Sequence, residues 1–137
     1  MTELIAGGVY SDRRGSLRFC TDFDMSAVKR FYTIANSAEQ PRRGWIGHKC
    51  ETKWFFPLKG TTEIVVEPMG GDALAATHAA DANDASGRFA LNANEPKVLM
   101  VPPGNWFYIE QHEDAEVMVF SDCKVGEYEN DDFRRKL

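Results

Sequence analysis

No run in these 137 residues is long and apolar enough to span a bilayer. The opening stretch MTELIAGGVY lacks the basic start and long apolar core of a secretory signal. The expectation is a cytoplasmic protein with no membrane partner. A basic excess is also missing. Lys and Arg number 16 against 21 Asp and Glu, a formal net charge of -5. That argues against a general nucleic-acid binder, whose affinity rests on displacing phosphate counter-ions with Lys and Arg. Cysteine is scarce: Cys20, Cys50 and Cys123 make an odd count without zinc-type spacing. They are expected to be reduced thiols that pack as small hydrophobes. Histidine is equally scarce, at three, and of these only His48 lies within a strong strand signal. Repeats, linkers and domain boundaries are lacking too, so residues 1–137 are expected to form one domain.

What the chain has is β-forming sequence, with nine Phe, four Tyr and three Trp. Short strand-like runs recur between turn signals: Leu4 to Val9, Ser16 to Thr21, Val28 to Ala35, the Gly44 to Glu67 region, RFALN after Gly87, Lys97 to Val101, Trp106 to Gln111 and Glu116 to Ser121. Such spacing with little helix predicts an all-β sandwich or barrel of jelly-roll type. Helical turns are expected only around Asp22–Asp24 and in the closing segment. The run RGWIGHKCETKWFFPLKG followed by TTEIVVEP reads as two strands of an antiparallel hairpin split at Lys59–Gly60. Period-two alternation then puts Ile46, His48 and Cys50 on one face, and Val28, Arg30, Tyr32 and Ile34 on one face of the earlier strand. Met69 to Ser86, rich in Ala, Asp and Gly, reads as a surface loop with a solvated His78.

Six pieces in order carry a family resemblance. They are Asp12-Arg13-Arg14-Gly15-Ser16-Leu17, Lys29-Arg30-Phe31-Tyr32-Thr33-Ile34, Arg43-Gly44-Trp45-Ile46-Gly47-His48-Lys49, Leu58-Lys59-Gly60, Val101-Pro102-Pro103-Gly104-Asn105-Trp106, and Gly126-Glu127-Tyr128-Glu129-Asn130-Asp131-Asp132-Phe133. Together they resemble the RmlC-like cupins, in the branch of dTDP-4-dehydrorhamnose 3,5-epimerase and the WxcM-like dTDP-sugar 3,4-ketoisomerases. The resemblance implies a double-stranded β-helix jelly-roll barrel, a homodimer, no cofactor, and a dTDP-4-keto-6-deoxyhexose ligand in cell-surface polysaccharide assembly. It also shows departures. The family's base histidine falls on Ile46, and a later one falls on Phe107.

A metal-binding cupin would need ligands at Ile46, His48, Glu51 and Phe107, so too few donors remain for a catalytic metal. Acid–base chemistry beside a ketone needs a base near working pH and a proton donor for the enolate oxygen. His48 is the candidate base and Tyr32 the candidate donor. The resemblance would place Arg43 near the nucleotide-sugar, as the candidate for phosphate oxygens; Arg30, Arg14 and Trp106 are further substrate-binding candidates, Trp106 for stacking on a base or sugar. Cys50, on the same expected face as His48, reads as a buried thiol. Two readings stay open: an isomerase or epimerase, and a lapsed cupin that binds a nucleotide-sugar without turnover.

Overall fold

The computed structural model describes residues 1–70, 87–127 and 130–137. The expected loop over Met69–Ser86, with His78, falls largely outside them, as do Tyr128 and Glu129 of the closing motif. Among the described residues the chain forms strands and no helix. In chain order they are β1 (Glu3–Ala6), β2 (Gly8–Asp12), β3 (Gly15–Phe19), β4 (Arg30–Ile34), β5 (Arg42–His48), β6 (Lys53–Lys59), β7 (Thr61–Pro68), β8 (Gly87–Asn92), β9 (Lys97–Val101), β10 (Asn105–Gln111), β11 (Glu116–Ser121) and β12 (Phe133–Arg134). The helical turn expected near Asp24 is an Asx turn instead: the Ser26 amide donates to Asp24 Oδ1 at 2.9 Å. The closing segment, expected to hold a helical turn, pairs as β12.

The strands make two five-stranded sheets, ordered β1-β9-β6-β11-β4 and β12-β5-β10-β7-β8, and a separate β2-β3 hairpin. Alternation explains which side chains meet between the sheets. β6 turns Phe55 and Pro57 inward, β7 turns Thr62, Ile64 and Val66 inward, and β11 turns Val117, Val119 and Ser121 inward. Ile34, Phe55, Ile64, Leu99, Phe107, Ile109 and Val117 belong to one buried cluster drawn from both sheets. Each such side chain contributes about 1.5–3 kcal/mol of transfer free energy, enough to fix strand register, because a one-residue slip would turn the whole set outward.

The hairpin expected across Lys59–Gly60 is not formed. β6 pairs with β9 and β11, while β7 pairs with β10 and β8. Gly60, with a positive φ of 65°, is a corner carrying the chain from one sheet to the other. Two β-rich runs beside a Lys-Gly turn satisfy a hairpin signal locally. Here each run finds better burial against distant strands, and tertiary packing decides. At the far end of the barrel the interior is closed by Gln111. Its amide donates to Ile34 O at 3.1 Å and Thr62 Oγ1 at 3.0 Å, and its oxygen accepts from the Asn36 amide at 2.7 Å.

Candidate functional site

A cavity of about 560 Å³ opens between the facing edges of the two sheets, β4 on one side and β5 and β12 on the other. Its deep wall is apolar: Ile34, Ile46, Phe55, Phe107 and Ile109. Its other walls are charged. Arg30, Arg43, Lys53, Lys124 and Arg134 face three carboxylates, Glu51, Asp131 and Asp132. Five cations against three anions give this cavity the opposite sign to the chain, whose net charge is -5. The surplus favours an anionic ligand.

Glu51 is the hub. It follows β5 in the short crossover to β6 and is 6 % exposed. Its Oε2 lies 2.6 Å from the Lys53 ammonium and 3.3 Å from Arg30 Nη2, and it accepts the Ser121 hydroxyl. Its Oε1 is 3.6 Å from His48 Nδ1. Burial alone would raise its pKa. Hydrogen bonds from Lys53 and Ser121 and the charge of Lys53 more than reverse that, bringing it from the usual 4.5 to about 2. Lys53, 4 % exposed, occupies an inward position on β6 that alternation would give to an apolar residue. Its ammonium also donates to the Tyr32 phenol oxygen at 2.8 Å. With the oxygen accepting from Lys53, the phenolic hydrogen is left to point at a ligand.

His48 ends β5 and is 7 % exposed. Its Nδ1 donates to the Asp131 carbonyl oxygen at 2.7 Å. Its Nε2 is buried and has no hydrogen-bond partner among the described residues. A carbonyl only accepts, so the proton of the neutral ring sits on Nδ1 and Nε2 keeps a bare lone pair.

Arg43 reaches the cavity through a register irregularity. Phe107 pairs with Ile46 and Tyr108 with Gly44, so Trp45 is the extra residue of a β-bulge, and Arg43 falls opposite the inward-facing Ile109. Simple alternation from His48 would have turned Arg43 outward; the bulge re-aims it. Its guanidinium has no ion pair among the described residues and lines the cavity. Arg42, by contrast, faces outward and bonds Glu110 at 3.0 Å.

Neither a protein-family model nor a curated protein matches this chain. Solved structures do. A 3,4-ketoisomerase from Helicobacter canadensis aligns with a TM-score of 0.69 and 18% identity over 98% of this chain and 90% of that one. QdtA, a sugar 3,4-ketoisomerase from Thermoanaerobacterium thermosaccharolyticum solved in complex with TDP, gives 0.69 and 20% over 98% and 88%. The rmlC epimerase of Mycobacterium tuberculosis gives 0.71 and 14% over 97% and 68%. This chain folds as an RmlC-like cupin. At such identities the likeness speaks for the fold, and the chemistry of this chain has to come from its own side chains.

Of the residues singled out in the sequence, His48, Tyr32, Arg30 and Arg43 all line the one cavity. Arg14 and Trp106 do not, against expectation. Arg14 sits at the exposed tip of the β2-β3 hairpin and pairs with Asp12 at 2.7 Å. Trp106 alternates with Phe107 on β10, so when Phe107 faces in, Trp106 faces out, where Arg135 packs 5.0 Å from its ring. Cys50, expected inside beside His48, is exposed, because β5 ends at His48 and period-two alternation ends with it. Cys123 lines the cavity instead, and burial pushes its thiol pKa up, away from a reactive thiolate. Lys53 and Asp131, which the sequence does not single out as site residues, also line the cavity. Lys53 was legible as a lone charge at an inward position of β6; nothing local marked Asp131.

Metal chemistry finds little room. Among the described residues His48, Glu51 and Asp131 bring donor atoms within 4.8 Å of one another. The two carboxylates are already taken up in part: Glu51 Oε2 accepts from Lys53, Arg30 and Ser121, and the Asp131 carboxylate accepts from backbone amides. A cation would also meet the Lys53 ammonium, so the donor set does not fit a metal.

Proposed function

We propose that this protein is a sugar-nucleotide isomerase or epimerase of the type that acts on a dTDP-4-keto-6-deoxyhexose, serving cell-surface polysaccharide assembly from the cytoplasm. The observation that carries the reading is the bare, buried His48 Nε2 in the same cavity as the Tyr32 phenol. Removing a proton beside a ketone needs a base and a donor for the oxygen that becomes an enolate. His48 Nε2 takes the carbon-bound proton. Tyr32, held by Lys53, donates to the oxygen. Arg43, without an ion pair among the described residues, binds diphosphate oxygens, and Arg30 braces Glu51. The chemistry moves protons within one substrate and needs no cofactor. QdtA, whose fold this chain shares, has been solved with TDP and, as a variant, with TDP-4-keto-6-deoxyglucose, which supports that ligand class.

A second reading has its own support. His48 Nε2 is covered by protein, with the Phe107 ring centroid 6.0 Å from the imidazole's. A substrate carbon reaches it only by displacing that packing. The corresponding function is binding of a nucleotide-sugar without turnover. Incubation with a dTDP-4-keto-6-deoxy sugar in deuterated water, followed by NMR, separates the two. Loss of the C3 proton signal, abolished in His48→Ala, supports the isomerase; binding without exchange refutes it. We also propose a homodimer, supported by Tyr10, Leu17 and Phe19 exposed on one face of the β2-β3 hairpin. Light scattering giving the mass of one chain would overturn this.

A further inference from the structure

Asp131 lies more than eighty residues from His48, yet it touches every part of the turn that carries it. Its carboxylate accepts three successive backbone amides: Lys49 at 2.5 Å, Cys50 at 2.9 and 3.1 Å, and Glu51 at 2.9 Å. Three converging N–H groups form a nest for an anion, and the chain fills that nest with its own carboxylate. The carbonyl of the same residue accepts the His48 Nδ1–H at 2.7 Å. One residue thus holds both the turn after His48 and the ring itself.

The segment that brings Asp131 there is lightly tied. β12 has two residues, Phe133 opposite Gly47 and Arg134 opposite Ile46. Beyond it, Arg135 and Trp45 exchange backbone hydrogen bonds at 3.2 Å each. The segment's side chains anchor it at Phe133, whose ring centroid lies 5.0 Å from the Lys49 ammonium, and at Arg135. The Arg135 guanidinium lies 4.3 Å from the Trp45 ring centroid and 5.0 Å from that of Trp106, and bonds Glu67 at 3.3 Å. A guanidinium between two indoles is a favourable arrangement, and one that a lysine would not reproduce. The two tryptophans are on the outer face of the sheet, while His48 is on the inner face of the same strands.

We propose that Asp131–Arg135 is a latch that positions His48. Docked by Arg135 on the outer face, it supplies the acceptor that keeps the imidazole proton on Nδ1 and so keeps Nε2 bare. That this sets a reaction rate rests on the function proposed above; the tautomer itself does not. Asp131 and Arg135 touch no ligand and act through His48, so both are positioning residues.

The test is two-bond ¹H–¹⁵N correlation of the imidazoles in ¹⁵N-histidine-labelled protein at neutral pH, with His48→Gln identifying the His48 signals. The intact protein is expected to show a protonated Nδ1 and a bare Nε2. Arg135→Gln and Asp131→Asn are each expected to move His48 to a mixture of tautomers, with circular dichroism unchanged. They should also lower C3 proton exchange at least tenfold while changing affinity for TDP less than threefold. Pure Nδ1–H tautomer persisting in both folded variants would overturn the latch. If Arg135→Gln fails to fold, Asp131→Asn decides. If both fail, the intact protein decides, because a proton on Nε2 there is incompatible with the proposal and one on Nδ1 supports it. A correct tautomer in a protein that exchanges no substrate proton sinks the isomerase and leaves the latch standing.

Discussion

Replacing Glu51 by Gln tests the electrostatic account of the cavity most directly. Glu51 holds Lys53, Arg30 and Ser121 together in a site with almost no water contact. Its pKa falls from 4.5 to about 2 on folding. A carboxylate depressed in the folded state stabilises that state above its unfolded pKa and ceases to do so as pH falls through its folded pKa. The contribution is therefore whole above about pH 4.5, shrinks on acidification, and is gone below about pH 2. Across that interval it amounts to about 3 kcal/mol. Removing one member of a buried pair independently suggests about 3–5 kcal/mol, because the Lys53 ammonium is left buried beside a neutral amide. Glu51→Gln at pH 7 should then unfold about 10 °C below the parent protein. The gap should narrow towards pH 2, as the native carboxyl itself becomes neutral. Urea unfolding of both proteins between pH 2 and 7 measures it. Adding Lys53→Met to Glu51→Gln should recover part of the loss, since the buried ammonium is gone and only the partly exposed Arg30 is left without its carboxylate. A gap below about 1 kcal/mol at pH 7, or one of equal size at pH 2.5, would refute the reasoning.

Other substitutions separate the roles assigned around the cavity. Tyr32→Phe should slow C3 proton exchange by about 10²-fold with little change in TDP affinity, since only the proton donor is lost; an unchanged rate would remove Tyr32 from the chemistry. Arg43→Ala should weaken TDP about tenfold, and less at high salt, as measured by titration calorimetry. Trp106→Phe should leave TDP affinity unaltered, because its ring lies on the outer face against Arg135; a large loss would mean that the ligand sits elsewhere. Gly47→Ala should cost about 1–3 kcal/mol, read as a lower urea midpoint. A Cβ there would come within 2.7 Å of the Trp106 ring and 2.9 Å of Met69.

How much of this was legible in advance follows from the range of each signal. Strand positions depend on local alternation, so β4, β9, β10 and β11 appear where the sequence puts them, and Arg30 and Tyr32 share an inner face as parity requires. Pairing depends on distant partners. The Lys59–Gly60 turn therefore misleads, as the two runs beside it belong to opposite sheets. Parity also ends where a strand ends, which is why Cys50 is exposed although it lies two residues beyond His48. It breaks again at a bulge: Arg43 reaches the cavity only because Trp45 is the extra residue. Lys53 was readable as a charge in an apolar position. Asp131 acts through its backbone carbonyl and through amides eighty residues away, and no spacing in the sequence encodes such a contact.

The corner at Gly60 has a consequence for how the molecule comes into being. The chain changes sheet there and again between β4 and β5, β5 and β6, β8 and β9, β9 and β10, β10 and β11, and β11 and β12. Few neighbours in sequence are neighbours in space, which places folding in the millisecond-to-second range typical of such topologies. Tyr32, Lys53, His48 and Asp131 come from separate strands and the segments between them, so no early fragment holds even a crude version of the cavity. Ligand affinity should arise all at once with the last pairing, and a bound nucleotide should slow amide exchange in both sheets alike instead of guarding one region.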